Sequence, residues 1–284
     1  PIDGTTLTSK GLAWAITVGS LPNGLSLNPT TGAITGTPNT TGSFPFTVAV
    51  SYTAVVVVPV SVSQQFTILI VTVPTLTFTG LPTAAAQQSA LTGTISNTYP
   101  LNITGTLQLT FAPAAGLPDD PNIQFVNAAS SRQVAFTIAA GSTQANFTNG
   151  ATRLATGTVA GAITITTTAL TDSSGASLTP PVASTLTINP TAPAITKVTV
   201  DTPTTTGFNI SVTGYSTPRD MTSVVFHFAA PTGTTLALAD ITVPLTSAFT
   251  SWYSSPASNA FGSQFTVRVP FTFAGPVGST VPYT

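Results

Sequence analysis

Apolar and polar side chains alternate strictly along the segment from Phe44 to Tyr52. Its large apolar residues fall on every second position: Phe44, Phe46, Val48, Val50 and Tyr52. Successive side chains of a β-strand point to opposite faces, so this period of two predicts a strand with one face in a core. Substitutions at Phe46 or Val48 should therefore damage the fold, whereas a substitution at Thr47 should not.

The same alternation recurs along most of the chain and predicts many further strands. They fall at residues 12–18, 25–27, 33–35, 107–111, 133–138, 163–165, 208–212, 224–228 and 265–273. Residues 245–261 favour a short helical turn, and no segment shows sustained helical periodicity. The pattern predicts an all-β fold made of β-sandwich domains.

In two segments, 55–58 and 66–71, apolar residues occupy both odd and even positions, so the alternation is interrupted. Strands that are covered on both faces have this pattern, so we expect the second face to be covered as well. Such segments can also contact another copy of the chain. The candidate assembly surface consists of Val55, Val56, Val57, Val58, Phe66, Ile68, Leu69, Ile70 and Val71.

The segment from Leu21 to Tyr52 carries the most specific local signals. Pro22-Asn23-Gly24 is turn chemistry, and Asn28 to Gly32 closes a hairpin loop. The motif W-x-I-x-x-G-x-LPNGLSLNPTTGAITGTP-x-x-x-G-x-x-x-FTV runs from Trp14 to Val48. It resembles the "putative Ig" repeat of bacterial secreted surface proteins, a cadherin- and dystroglycan-like β-sandwich. The resemblance implies tandem Ig-like β-sandwich domains and no particular biochemical activity.

Proline-rich segments divide the chain into three predicted domains. Val73-Pro74-Thr75 separates a putative-Ig-type sandwich at residues 1–74 from a second sandwich at 75–189. Asn189 to Pro193 then precedes a third Ig-like sandwich at 190–284. The segments YPLNITGTLQLTFAP and SWYSSPASNAFGSQF resemble domains that accompany the repeat in bacterial surface proteins.

The last eleven residues, 274–284, hold small turn residues and two prolines instead of a further strand. We therefore expect the third domain to lack its last strand and a strand from a neighbouring chain to complete it. Trimming of a longer protein would leave the same pattern. The mass of the intact native chain distinguishes the two explanations.

Charged residues make up only 5% of the 284 residues, the formal net charge is -1, and there is no cysteine or glutamate. Six scattered lysines and arginines cannot form the basic patch that nucleic acid or an anionic membrane would require, so neither partner is expected. Pro59 and several polar residues interrupt the apolar segment 54–73, which argues against membrane insertion. The near-neutral surface favours self-association into a homopolymer.

No residue pattern indicates catalysis, a cofactor or a metal site. The single histidine, His227, lies in a predicted strand without a nucleophile elbow. Asp119 and Asp120 form the only adjacent acidic pair, and their position before a proline is typical of a turn. Calcium, which cadherin-like repeats commonly bind, would need clustered acids. The acids near the predicted linkers and in the third domain are isolated: Asp3, Asp201 and Asp240.

Two further features concern glycans. Trp252 and Tyr253 form an aromatic pair that could stack on a sugar, which makes them candidate glycan contacts. Four sequons mark possible glycosylation sites, although a threonine-rich chain also produces them by chance. They lie at Asn39, Asn102, Asn146 and Asn209.

These observations favour a non-enzymatic extracellular structural protein, the subunit of a surface fibre or filament assembled by strand complementation. The alternative is an adhesin, or a carbohydrate-binding stalk module of a larger cell-surface protein, with a glycan or cell-surface partner. The chain begins at Pro1 without a signal peptide, which indicates a mature or excised product. Its cysteine-free, threonine-rich composition fits a bacterial cell surface.

Overall fold

The structure, a computed structural model, describes residues 11–52, 60–127, 129–178, 183–229, 232–233 and 239–273. Within these residues the fold is all-β with a single α-helix. The strands are β1 (Leu12–Gly19), β2 (Leu25–Leu27), β3 (Ile34–Gly36), β4 (Gly42–Tyr52), β5 (Val60–Ile70), β6 (Leu76–Thr79), β7 (Gln88–Ala90), β8 (Thr92–Ile95), β9 (Ile103–Pro113), β10 (Ile123–Val126), β11 (Gln133–Ile138), β12 (Asn146–Phe147), β13 (Arg153–Thr156), β14 (Gly161–Asp172), β15 (Ala183–Ile188), β16 (Ala194–Val200), β17 (Gly207–Tyr215), β18 (Ser223–His227), β19 (Asp240–Pro244) and β20 (Gln264–Thr272). The helices are α1 (Thr246–Ser254) and a 3₁₀ helix (Pro256–Phe261), where the sequence favours a helical turn.

The chain divides into two compact units, Pro1–Pro74 and Thr75–Thr284. The first unit contains the antiparallel sheet β1-β4-β5 and the hairpin β2-β3. Phe46 and Val48 are buried apolar residues of this unit, and Phe46 is only 2% exposed. The register predicted for β4 is confirmed, because Thr47 lies on the opposite face of the strand.

Pro45 lies in the middle strand of this sheet, where a missing N–H would normally break the ladder. The sheet tolerates it because β1 ends at Gly19, opposite Phe46, before it would reach Pro45. Gly19 has a φ of 73°, and a Cβ at this position would lie 2.2 Å from the carbonyl oxygen of Pro45. Glycine therefore allows β1 to turn away at this point.

In the second unit, residues 75–189 form a sandwich. A five-stranded sheet has the order β12-β11-β9-β14-β15, a three-stranded sheet has the order β10-β13-β7, and β6 pairs with β8. Both larger sheets contribute side chains that are almost completely buried, including Leu107 and Ile163 from the first and Phe125 and Leu154 from the second. Apolar burial from two facing sheets is the main stabilising contribution in such a sandwich.

Residues 190–273 add the sheet β16-β17-β20, the hairpin β18-β19 and α1. Their apolar residues form one buried cluster that includes Val212, Phe226, Phe249 and Phe265. Phe249 of α1 packs edge-on against Phe265 of β20, with ring centroids 5.0 Å apart. The helix is therefore held against the sheet by aromatic contacts.

A buried carboxylate organises the junction between these two parts of the second unit. Asp120 is inaccessible to solvent and accepts hydrogen bonds from the backbone N–H groups of Asn122 (2.9 Å), Thr158 (2.6 Å) and Val159 (3.1 Å). The hydroxyl of Thr158 in turn accepts a hydrogen bond of 2.8 Å from the backbone N–H of Ser263. One carboxylate thus fixes a loop that contacts both parts.

Candidate assembly surface

β5 pairs with β4 along its full length, and no described strand pairs with its other edge. In β1 the N–H of Trp14 donates to the carbonyl of Pro29, away from β4, at 2.8 Å. Trp14 lies opposite Val50, so the backbone groups of Val50 do not bond to β1. Because hydrogen-bonding direction alternates along a strand, the even-numbered residues of β4 bond to β5 and the odd-numbered residues bond to β1. In β5, the backbone groups that consequently point to the free edge belong to Ser61, Ser63, Gln65, Thr67 and Leu69. Of these groups, the carbonyl of Gln65 accepts a hydrogen bond of 3.1 Å from the side-chain amide of Gln64.

The sheet face that carries the buried residues of the first unit extends onto β5, where its apolar side chains are exposed. Phe66 lies opposite the buried Phe46, with ring centroids 5.9 Å apart, yet Phe66 is 50% exposed. Val62, opposite Val50, is 64% exposed. Leu69, on the other face, is also exposed. The expectation that both faces of this segment are covered is wrong for the described residues.

The structure places the predicted surface residues in three groups. Phe66 and Leu69 are exposed, whereas Ile68, Ile70 and Val71 are half-buried. Val55, Val56, Val57 and Val58 lie outside the described residues. Natural edge strands are usually blocked by charged side chains or by proline, but β5 contains neither over its eleven residues.

A second free edge with exposed apolar residues lies in the second unit, at β16. Val198 lies opposite the buried Val212 and on the same face, yet Val198 is 54% exposed, and Val200 is exposed as well. The N–H of Asp201 donates to the carbonyl of Asn209 at 2.9 Å, which sets the direction of the ladder. The backbone groups of Val198 and Val200 therefore point to the free edge.

β20, at the other side of this sheet, is blocked. The N–H of Ser216 donates to the carbonyl of Ser263, so the backbone groups of Gln264 and every second residue after it point away from β17. The indole N–H of Trp252 already donates to the Gln264 carbonyl at 3.3 Å. Pro270, at the far end of the strand, has no N–H to offer.

Residues 1–72 match the family model described as Putative Ig domain. This first segment of the chain is similar to Ig-like repeats. This match confirms the resemblance carried by residues 14–48, and the antiparallel sheets confirm the all-β Ig-like fold class. A search of curated proteins found no match. Ig-like repeats of this kind are typically non-enzymatic modules of an extracellular type.

None of the helices in the described part of the chain is long and apolar enough to span a membrane.

The structure separates the two aromatic residues predicted as glycan contacts. Trp252 lines an open groove together with Phe261. Tyr253 points elsewhere: its hydroxyl donates to the carbonyl of Ser263 at 2.8 Å, and the Arg219 guanidinium lies 4.6 Å from its ring centre. Burial raises the pKa of Tyr253 to about 12. The side chain of Tyr253 is therefore held by Ser263 and Arg219 and does not line the groove.

The adjacent acids Asp119 and Asp120 have separate roles. Asp119 is exposed and forms an ion pair of 2.7 Å with Arg132. Asp120 is buried, and its Oδ1 accepts the N–H of Asn122, which confirms the predicted turn. The two carboxylates do not face a common cleft that could hold a substrate.

His227 pairs with Asp240 across the hairpin β18-β19, and both side chains are largely exposed. Asp201 pairs with Arg268 on the surface, whereas Asp3 lies outside the described residues. No group of three histidine or aspartate side chains in the described part of the chain could hold a metal ion.

The four sequons differ in accessibility. Asn39 and Asn146 are exposed. The side-chain oxygen of Asn102 accepts the N–H of Ala140 at 2.8 Å. Asn209 is half-buried and donates to Asp201 at 3.2 Å. An attached glycan would therefore disturb the least structure at Asn39 and Asn146.

One buried acid makes stability depend on pH. Asp172 accepts hydrogen bonds from the hydroxyl and N–H of Ser174, from the hydroxyl of Tyr99 (2.9 Å) and from the N–H of Ala176 (3.1 Å). These bonds, the Ser174 hydroxyl foremost, hold the pKa of Asp172 below its ordinary value, although burial opposes them. Burial and the bond to Asp172 raise the pKa of Tyr99.

We expect the second unit to lose stability in acid through Asp172. Because its pKa is lower in the folded chain, its contribution is fully present above the unfolded value of about 3.9 and is lost as the pH falls through the folded value. Thermal unfolding between pH 7 and pH 2 should show this loss in the parent protein. The variant Asp172→Asn should be less stable at pH 7 and less sensitive to acid, and equal acid sensitivity would contradict the assignment.

Proposed function

We propose that this protein is a non-enzymatic structural subunit of an extracellular surface and that its copies assemble into a filament by strand addition. The observation that carries the proposal is the free edge of β5, eleven residues long, uncharged and free of proline. An edge of this kind is a template for another chain, because its unpaired N–H and C=O groups require partners.

Strand addition at β5 would satisfy the outward backbone groups and bury apolar side chains in the same step. The added strand would extend the core over Val62 and Phe66, which are exposed in the single chain. Full burial of a side chain of this size contributes roughly 1.5–3 kcal/mol. The backbone bonds then define the register, and the side chains supply most of the free energy.

A filament requires two different surfaces that fit each other. If β5 paired with β5 of another copy, the contact would close as a two-fold dimer. Pairing of β5 with β16 of the next copy is heterologous and leaves a free β5 and a free β16 at the two ends. Both edges expose apolar core-side residues, and β16 carries a single charge, Lys197, that meets no charge on β5.

The low overall charge supports the same assembly. With 5% charged residues and a net charge of -1, copies of the chain repel each other weakly. Completion of the third domain by a strand of a neighbouring chain stays a prediction, because residues 1–10 and 274–284 lie outside the described residues.

The test is to block each edge with a proline at a position whose N–H points outward. Gln65→Pro in β5 and Val200→Pro in β16 remove no internal ladder bond, so each should change the free energy of unfolding by less than about 1 kcal/mol. Negative-stain microscopy and sedimentation of the full chain should show filaments for the parent protein and no filaments for either variant. Thr187→Pro, at the exposed edge strand β15, is the matched control and should still form filaments.

Three outcomes would contradict the proposal. The first is a parent protein that stays monomeric over the whole concentration range. The second is filaments that survive both prolines. The third is a discrete dimer that Gln65→Pro abolishes and Val200→Pro leaves intact, since it would assign β5 to a closed two-fold contact.

A further inference from the structure

The groove beside Trp252 combines an aromatic wall with neutral polar groups. Its volume is about 380 Å³, and it lies between α1, the 3₁₀ helix and the edge of β20. The rings of Trp252 and Phe261 form one wall, with centroids 5.9 Å apart and planes inclined by 42°. Phe261 is 52% exposed, so this wall is open to a ligand.

The aromatic wall is held in place before any ligand arrives. The indole N–H of Trp252 donates to the Gln264 carbonyl, which fixes the orientation of the ring. The preceding turn of α1 is anchored by Phe249, which is buried against Phe265. A preorganised ring loses little conformational entropy when a ligand stacks on it.

Neutral hydrogen-bonding groups also line the groove. The hydroxyls of Thr213 and Thr266 lie 3.0 Å apart on the outer face of the sheet, and both residues line the groove. Gln264 also lines it, is exposed, and has a side-chain amide without a hydrogen-bond partner among the described residues. The groove therefore presents an apolar aromatic plane together with neutral donors and acceptors.

Charge and backbone geometry limit what the groove can hold. No ionisable side chain lines it, which disfavours phosphates, nucleotides and acidic sugars. A peptide strand is also disfavoured, because Trp252 occupies the Gln264 carbonyl and Pro270 interrupts the remaining edge of β20. A pyranose ring matches both features, since its C–H face packs on an aromatic ring and its hydroxyls bond to neutral polar groups.

We infer that this groove binds a neutral carbohydrate, with a pyranose ring stacked on Trp252 and Phe261 and its hydroxyls directed to Gln264, Thr213 and Thr266. Glycan binding here is separate from filament assembly, because the groove contains no residue of β5 or β16. A filament subunit with such a groove would display one glycan-binding site per copy, so weak single sites would add up to a high avidity.

Binding can be measured directly, because the chain has only two tryptophans and the other, Trp14, lies in the first unit. In the full chain carrying Trp14→Phe, the fluorescence of Trp252 should change saturably with one of a panel of neutral oligosaccharides. The panel consists of gluco-, manno-, galacto-, xylo- and chito-oligosaccharides. Phe261→Ala and Gln264→Ala should each weaken the dissociation constant about tenfold, which corresponds to the loss of one favourable contact.

Phe66→Ala is the matched control for Phe261→Ala, because both rings are about half exposed. It should leave carbohydrate binding unchanged while impairing assembly. The inference is overturned if no sugar of the panel changes the fluorescence, or if binding persists unchanged in Phe261→Ala. It is also overturned if Phe261→Ala abolishes filaments, since the groove would then hold another copy of the chain. Failure of assembly with intact sugar binding would overturn only the proposed function.

Discussion

Replacement of Asp120 by alanine is expected to lower the free energy of unfolding of the second unit by about 3–5 kcal/mol, because three buried backbone N–H groups lose their acceptor. The carboxylate is inaccessible to solvent and accepts the N–H groups of Asn122, Thr158 and Val159. Each buried donor left without an acceptor costs about 1–3 kcal/mol. Urea denaturation followed by the fluorescence of Trp252 in a Trp14→Phe background measures the change.

The neighbouring acid provides the control. Asp119→Asn removes an exposed ion pair with Arg132 and should cost about 0–1 kcal/mol, the usual value for a surface pair. Equal effects of the two substitutions would show that Asp120 does not organise the junction.

Replacement of Phe46 by alanine is expected to destabilise the first unit by about 3–5 kcal/mol through loss of buried area and creation of a cavity. Phe46 is the most deeply buried apolar residue of β4, and its ring contacts Phe66. Val48→Asp should be at least as damaging, because it places an unpaired charge in the core. The fluorescence of Trp14 in a Trp252→Phe background reports on this unit.

Thr47→Asp is the control on the opposite face of the same strand and should change stability by no more than about 1 kcal/mol. If it destabilised the unit more than Phe46→Ala, the side chains of β4 would have to be assigned to the other face, which is a shift of one residue in register.

Alternation predicted the strands with a long uninterrupted pattern of apolar residues and missed several others. The strands β4, β9, β11, β17 and β20 alternate without interruption, and the sequence predicts each of them. The sequence did not predict β16, because a bulge between Ile195 and Lys197 moves its apolar residues from odd to even positions. The strand β19 is only five residues long and has no strong signal of its own.

The candidate sites show the same limit. The apolar composition of residues 66–71 predicted an association surface. The exposure of Phe66, however, depends on which residues of the first unit pack against β5 in the folded chain. Trp252 and Tyr253 are adjacent in sequence, yet successive residues of a helix project in different directions, so only Trp252 reaches the groove. Phe261 and Gln264 carried no sequence signal because their role depends on proximity to Trp252.

The sequence by itself determined the all-β class, the register of β4, the Ig-like resemblance and the low charge of the chain, because periodicity, turn chemistry and composition are local properties. The tertiary structure decided which edges remain free, which carboxylate is buried and which aromatic rings meet. These features arise from pairs distant along the chain, such as Asp120 with Thr158 or Trp252 with Gln264, and their contacts depend on how the sheets and α1 pack. Local patterns limit which side chains can be buried, and packing selects the ones that are.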